Sequence, residues 1–385
     1  MTTHFRRRFP TWASRAALWL LVGTSQIPRA AGAQVDPGPP RGRIVADTVP
    51  APALAGNVLG DPTVQPAWVY LPPGYDGSRL RYPVLYLLHG VLDEPSVWIE
   101  PAYQGMTVQA TMDSLIGAGA VRPMIVVMPN GRNALGGSYY RNSPVTGGWG
   151  DFIARDLVRH VDARYRTLAS AGARAIAGHS MGGLGAIWAG MLHADVFQVV
   201  YGMNPCCLCC LTDEQIPEET RPLDTYPSIA ALWEELETGN IWPLAIAAAM
   251  AAFFPDPDRP PFYGDPDALS RQEPAIADRP EEGVYPVSRV AERVDALRSL
   301  EGLAFDSAFD DQFVHIPLST AAFSDTLEAH GVPHVYEVYA GDHRNRMRER
   351  MATVVLPWIS ERLPDPVPED GPSVPPDDAV PDRSG

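Results

Sequence analysis

Short apolar runs alternate with longer segments of helical period through the middle of the chain. Val84-Leu85-Tyr86-Leu87-Leu88 and Met124-Ile125-Val126-Val127-Met128 contain no charged residue, the pattern of strands buried on both faces. Residues 174–177 lead into glycines and read the same way, and 197–201, 303–305 and 335–339 complete the set. Between them Ile153, Leu157 and Val161 recur at every fourth position behind Asp151, which suits an amphipathic helix. Strands alternating with helices imply α/β architecture: a mostly parallel sheet covered on both faces. The extended pieces 44–49 and 65–71 are expected to pair antiparallel at its edge.

One stretch breaks the rhythm. Residues 206–299 carry no clear strand but hold an apolar helix candidate, Ile241–Phe254 (IWPLAIAAAMAAFF), too short to cross a bilayer. It reads either as a core helix or as a lid. An insertion between two late strands emerges at the sheet's carboxyl edge, where sites of α/β proteins form, and this favours the lid.

The ends differ from the middle. Arg6, Arg7 and Arg8 precede a short apolar run, 16–23, and Ala31-Gly32-Ala33 offers a small-x-small cleavage site. Residues 1–33 therefore read as a signal peptide, not a membrane anchor, and the mature protein as secreted or periplasmic. Residues 34–52 are expected to be a Pro-rich linker, 53–362 the folded domain with 206–299 inserted, and 363–385 a disordered acidic, Pro-rich tail. The chain of 385 residues has a net charge of −16, and all 30 of its basic residues are arginine. That balance excludes a basic footprint for nucleic acid or anionic lipid.

Gly178-His179-Ser180-Met181-Gly182-Gly183 matches G-x-S-x-G between a predicted strand and a small-residue helix start, the context of a nucleophile elbow. The sharp turn strains the backbone of Ser180, and side chains at 178 and 182 would clash there. A serine hydroxyl needs a base, and the order expected for this arrangement is serine, acid, histidine. Four of the nine histidines follow position 300. His343 stands on the loop after the last predicted strand, whereas His330 and His334 flank the turn entering it. The acid should follow strand 303–305. Asp306 lies too near the strand body, and Asp311 is preferred to Asp310 on the turn beyond. The Met181 amide should supply one oxyanion donor, and Val91, with Leu92 as its rival, the other.

These motifs resemble the esterase family of α/β-hydrolases, which includes feruloyl and acetyl-xylan esterases, S-formylglutathione hydrolase and antigen 85 mycolyltransferases. The resemblance runs from about Trp68 to about Trp358. It rests on Val69–Tyr75 (VYLPPGY), Tyr82–Gly90 (YPVLYLLHG), Gly137–Pro144 (GSYYRNSP), the elbow and Gly341-Asp342-His343. It implies an α/β-hydrolase fold with Ser180 as nucleophile, His343 as base and Asp311 as acid, although Ala308 replaces the usual glycine of the G-x-x-D turn. It also implies that the loop 139–149 lines the pocket. Trp149 and Tyr140, with Leu92 and His179, are the candidates for contacting substrate, though the place of His179 before the nucleophile would turn its side chain away.

All four cysteines fall within Cys206-Cys207-Leu208-Cys209-Cys210, too tightly spaced for one zinc ion. A disulfide (206–209, 207–210 or 206–210) or buried thiols are the alternatives. No metal or cofactor is expected. The expected activity is hydrolysis of a small-molecule or polysaccharide-linked ester through an acyl-enzyme on Ser180, failing at acid pH once His343 is protonated. Transfer of the acyl group to a sugar or glycolipid hydroxyl, or binding without catalysis, are the alternatives.

Overall fold

Eight strands form one sheet: β1 Arg43–Pro50, β2 Val64–Leu71, β3 Val84–Leu88, β4 Ile125–Pro129, β5 Arg174–His179, β6 Val199–Met203, β7 Gly302–Ala308 and β8 Val335–Tyr339. The computed structural model describes residues 40–209, 223–261 and 285–369. The expected signal peptide, Cys210 and most of the acidic tail lie outside them. The spatial order is β1-β2-β4-β3-β5-β6-β7-β8. β2 runs antiparallel to both neighbours, and every pairing from β4 to β8 is parallel. Strands β3, β4, β5 and β6 are buried at every residue, as their unbroken apolar runs require of a sheet with helices on both faces.

Both domain boundaries fall outside the range 53–362. β1 takes in residues 43–50 and pairs antiparallel with β2 along its whole length, from Arg43↔Leu71 to Pro50↔Val64, the edge pairing expected of 44–49 and 65–71, although the linker bound had run over it. Val49 and Ala51 are buried behind it, so a continuous ladder and a seat in the core outweigh the turn-prone composition. At the other end Leu363 is buried, and Val367–Pro368 pairs antiparallel with Leu80–Arg81.

The helices divide between the faces: α1 Val108–Gly117, α2 Val158–Arg164, α3 Met181–Leu192, α4 Ile229–Glu237, α5 Trp242–Phe253, α6 His315–Ala329 and α7 Leu356–Arg362. Ser228 caps α4 by accepting from the Ala231 amide at 3.2 Å. A π-helical turn, Phe152–Leu157, leads into α2 and carries Phe152, Ile153 and Leu157 into the core. One core cluster joins α3, α5 and α6 to one face of the sheet, and a second joins Trp98, Met112 and Ile359 to the other. α5 is apolar on all sides because it is buried between the core and a cavity over the sheet's carboxyl edge. Among the described residues of 206–299 there is no strand.

Candidate active site

Ser180 ends β5 and caps α3 with φ 58° and ψ −118°, a conformation most residues avoid. A Cβ on Gly178 would strike the Gly182 carbonyl, and one on Gly182 would strike the Leu88 carbonyl. The two glycines are therefore sterically obligatory for this turn. The strained residue is pinned on both sides. Its amide donates to the Met203 carbonyl at 2.9 Å, and its carbonyl accepts from Leu184 at 3.1 Å and Cys206 at 3.2 Å.

The loops after β7 and β8 are zipped together, Phe309 N–H donating to the Tyr339 carbonyl at 2.8 Å and Asp310 N–H to the Gly341 carbonyl at 3.0 Å. This sets Asp311 beside His343, with Oδ2 at 2.7 Å from Nδ1. Its Oδ1 accepts the Phe313 amide at 2.8 Å. Both side chains are buried, while Asp310 is exposed, which separates the two rivals. Asp306, the remaining rival, is committed elsewhere. It pairs with Arg350 at 2.8 Å and accepts from Tyr201 at 3.0 Å and the Asn204 amide at 3.1 Å.

The backbone of His343 is held from beneath: its carbonyl accepts from Asn204 Nδ2 at 3.1 Å and faces His179 Nε2 at 2.8 Å. A carbonyl can only accept, so Nε2 of His179 carries the proton and Nδ1 takes that of Tyr103, 3.1 Å away. Burial, with His343 alongside, holds the His179 imidazole far below its ordinary pKa and thus neutral. His179 consequently touches His343 from inside the protein and does not line the cavity at Ser180.

The loop after β3 passes close to the serine, since a Cβ on Gly90 would lie 3.5 Å from Ser180 Cβ. His89 fixes this loop, its Nδ1 at 2.8 Å from the Gly90 carbonyl and its Nε2 accepting the Gly131 amide at 2.8 Å. Leu92, with φ 65°, spends its amide on the Gly136 carbonyl at 2.8 Å. Among the described residues no acceptor takes the Val91 or Met181 amide, so Val91 and not Leu92 has a donor free.

Ser180 opens onto a cavity of about 740 Å³, open mouth included, walled by Val91, Tyr139, Trp242, Phe313 and Ile316. Cys206, Cys207 and His315 complete one side. Three of the residues expected to contact substrate sit elsewhere. Tyr140 is buried with its hydroxyl locked to the backbone of His89, donating to the carbonyl and accepting from the amide at 3.0 Å each. Trp149 donates to the Thr146 carbonyl at 2.8 Å and packs edge-on against Phe152. Leu92 is half-buried off the cavity wall. Tyr139 lines the wall instead, its hydroxyl donating to the Ala245 carbonyl of α5 at 3.2 Å, and residues 139 and 140 both have φ 53°. No periodicity marks that choice. Trp242, Ala245, Ile246 and Ala249 of α5 also line the cavity, and their spacing along one helix face could have been read from the sequence.

Cys206 and Cys207 are free thiols, and since each of the three disulfides weighed for this cluster needs one of them, none is formed. Among the described residues no set of three or more His, Cys, Asp or Glu side chains is placed to hold a metal ion, and no helix is long and apolar enough to cross a membrane.

The sheet order, the elbow after β5 and the acid and histidine after β7 and β8 define an α/β-hydrolase. Residues 63–347 match the family described as "Putative esterase", and the chain belongs to that esterase family. An endo-1,4-beta-xylanase/feruloyl esterase of Xylanibacter ruminicola is 36% identical over 133 residues, 31% of this chain and 17% of the relative. An esterase of Mycobacterium tuberculosis is 38% identical over 130 residues, 31% of this chain and 24% of the relative. The matched part thus spans less than a quarter of either curated relative. Among solved structures, a ferulic acid esterase superposes with a TM-score of 0.55 at 24% identity, covering 84% of this chain and 100% of that one. S-formylglutathione hydrolase of Staphylococcus aureus gives 0.54 at 16% identity, covering 83% and 99%. These structural likenesses establish the fold.

Proposed function

We propose that the chain is a serine esterase acting on esters of bulky apolar or aromatic acids through an acyl-enzyme on Ser180. One observation carries the reading: the Asp311–His343 pair at the carboxyl edge that holds Ser180, with the uncommitted Val91 and Met181 amides beside that serine. Asp311 fixes the Nδ1–H tautomer of His343, leaving Nε2 to take the Ser180 proton as Oγ attacks the ester carbonyl. The two amides hold the oxyanion, a contribution of about 10²–10³ in turnover per donor. Nε2 returns the proton to the leaving alcohol, then activates water to release the acid. The apolar cavity under α5 takes the acyl group, with α5 acting as its lid, and among the described residues no arginine lines it for a charged one. Relatives named for feruloyl esters agree with an acyl group of this kind. Residues 1–33 support export.

Hydrolysis of p-nitrophenyl acetate, butyrate and octanoate by wild type and Ser180→Ala tests this. Turnover should rise with acyl length and fall by about 10⁴-fold or more in the variant. Full activity in Ser180→Ala would sink the reading and leave the binding-protein alternative. The apolar cover over the serine favours a second reading, transfer to a sugar hydroxyl. Ester formation at the expense of free acid, on adding such an acceptor, would select it.

A further inference from the structure

The ester chemistry leaves unused three polarisable groups on the wall of its own cavity. Cys206 and Cys207 follow β6, where the chain folds back so that the Cys206 amide meets the Ser180 carbonyl at 3.2 Å. Both thiols face the cavity onto which Ser180 opens, and so does His315, the first residue of α6. The three side chains share one side of that wall, where His315 acts electrostatically to favour the charged form of Cys207. Cys207 holds φ 58°, a left-handed backbone that few non-glycine residues adopt.

The two neighbouring thiols titrate as a coupled pair, one shifted up and the other down. Donation from Cys206 holds the Cys207 thiol below its usual range, against its burial, and His315 adds to the effect. The same hydrogen bond, with burial, holds Cys206 above that range. His315 thus favours the charged form at Cys207, the member of the pair on which it acts. A thiolate stabilised by neighbouring donors and open to a pocket is the setting of reactive cysteines, whereas buried structural thiols are inert. The two cysteines are poor partners for a bond to each other. Adjacent Cα atoms across a trans peptide are about 3.8 Å apart, short of the roughly 4.4 Å at which ordinary disulfides begin. An outside sulfur is the better partner.

We propose that Cys207 is a second nucleophile in this cavity and a modification site for small disulfides, whose adduct occupies the acyl space and reversibly blocks the esterase. The step is an exchange. The Cys207 thiolate attacks one sulfur of R–S–S–R, a Cys207–S–S–R bond forms, the original S–S bond breaks, and RS⁻ leaves to be protonated by solvent. Cys207 is oxidised and the departing half of the reagent is reduced. A dithiol reverses it. The block rests on the esterase reading above, but the reactivity of the thiol does not.

Dithiodipyridine is the probe, with pyridinethione release giving the rate, peptide mapping the site and octanoate ester turnover the consequence. In the native protein the first adduct should map to Cys207 and abolish most turnover, and dithiothreitol should restore it. Cys206→Ala, which removes the main donor, should slow labelling roughly tenfold near neutral pH. Cys207→Ser should keep whatever turnover it has in the presence of the disulfide. Ser180→Ala should label as fast as wild type, and free octanoate should protect Cys207 in both, which reads the cavity without any turnover. A first adduct on another cysteine, a Cys207 adduct that leaves turnover intact, or labelling indifferent to octanoate would overturn the inference.

Discussion

Strand β7 and the loop beyond it carry two buried carboxylates of identical chemistry and different use. Asp306 sits in the strand body against Arg350, whose charge never changes, with Tyr201 and the Asn204 amide filling its remaining lone pairs. Asp311, past the strand end, faces an imidazole, a partner that can gain and lose a proton. The first arrangement is a fixed clamp between β6, β7 and the segment before α7. The second, in the mechanism proposed above, orients the histidine. What separates the two is the partner, a guanidinium for Asp306 and an imidazole for Asp311, since both carboxylates are almost wholly buried.

The comparison can be broken at either carboxylate. Asp311→Asn should lower kcat by about 10⁴-fold while leaving the melting temperature nearly unchanged, since Asn still accepts the Phe313 amide but enforces the wrong histidine tautomer. Retained turnover would remove Asp311 from the mechanism. Asp306→Ala should do the reverse, leaving the half-exposed Glu337 as the one carboxylate the described residues set against buried Arg350. About 3–5 kcal/mol of stability should be lost in urea unfolding, with turnover per folded molecule within a few-fold of wild type. A smaller effect is expected at His179, which positions His343 through its carbonyl. His179→Gln should cut kcat about tenfold or somewhat more without a matching rise in KM.

The smallest effect sharpens the contrast by way of a carboxylate with no cation. Burial raises Asp61 to about 6 from 3.8, only partly offset by the Ala134 amide. The folded state therefore binds more protons than the unfolded one between those values, and its stability falls as pH rises through that window. Asp61→Asn should remove the slope and stabilise the protein at pH 7 by about 1–2 kcal/mol, discounted for partial exposure. A steeper slope in the variant would contradict it.

The strands were legible because parallel strands buried on both faces must be continuously apolar, and the elbow because only glycine fits at 178 and 182. His343 could be singled out because the loop after the last strand returns to the edge where the elbow lies. Choosing between adjacent residues was harder. Asp311 differs from Asp310, and Tyr139 from Tyr140, by the direction of one turn, which depends on contacts from β8 and α5 rather than on local pattern. The antiparallel edge pair was legible in the two extended pieces 44–49 and 65–71, and only the linker bound at 52, drawn on Pro content, overran it.

The order of the sheet also imposes a timetable. β3 and β5 lie at its centre and are complete by His179, but β7 and β8 are added outward, and His343 lies beyond β8 at the far edge. A chain emerging from the ribosome can shape its serine turn with more than half its length still unmade, yet the histidine has no seat until the final strand zips onto β7 and its carbonyl finds His179 and Asn204. A product truncated before residue 335 would keep the central strands and lack the histidine altogether.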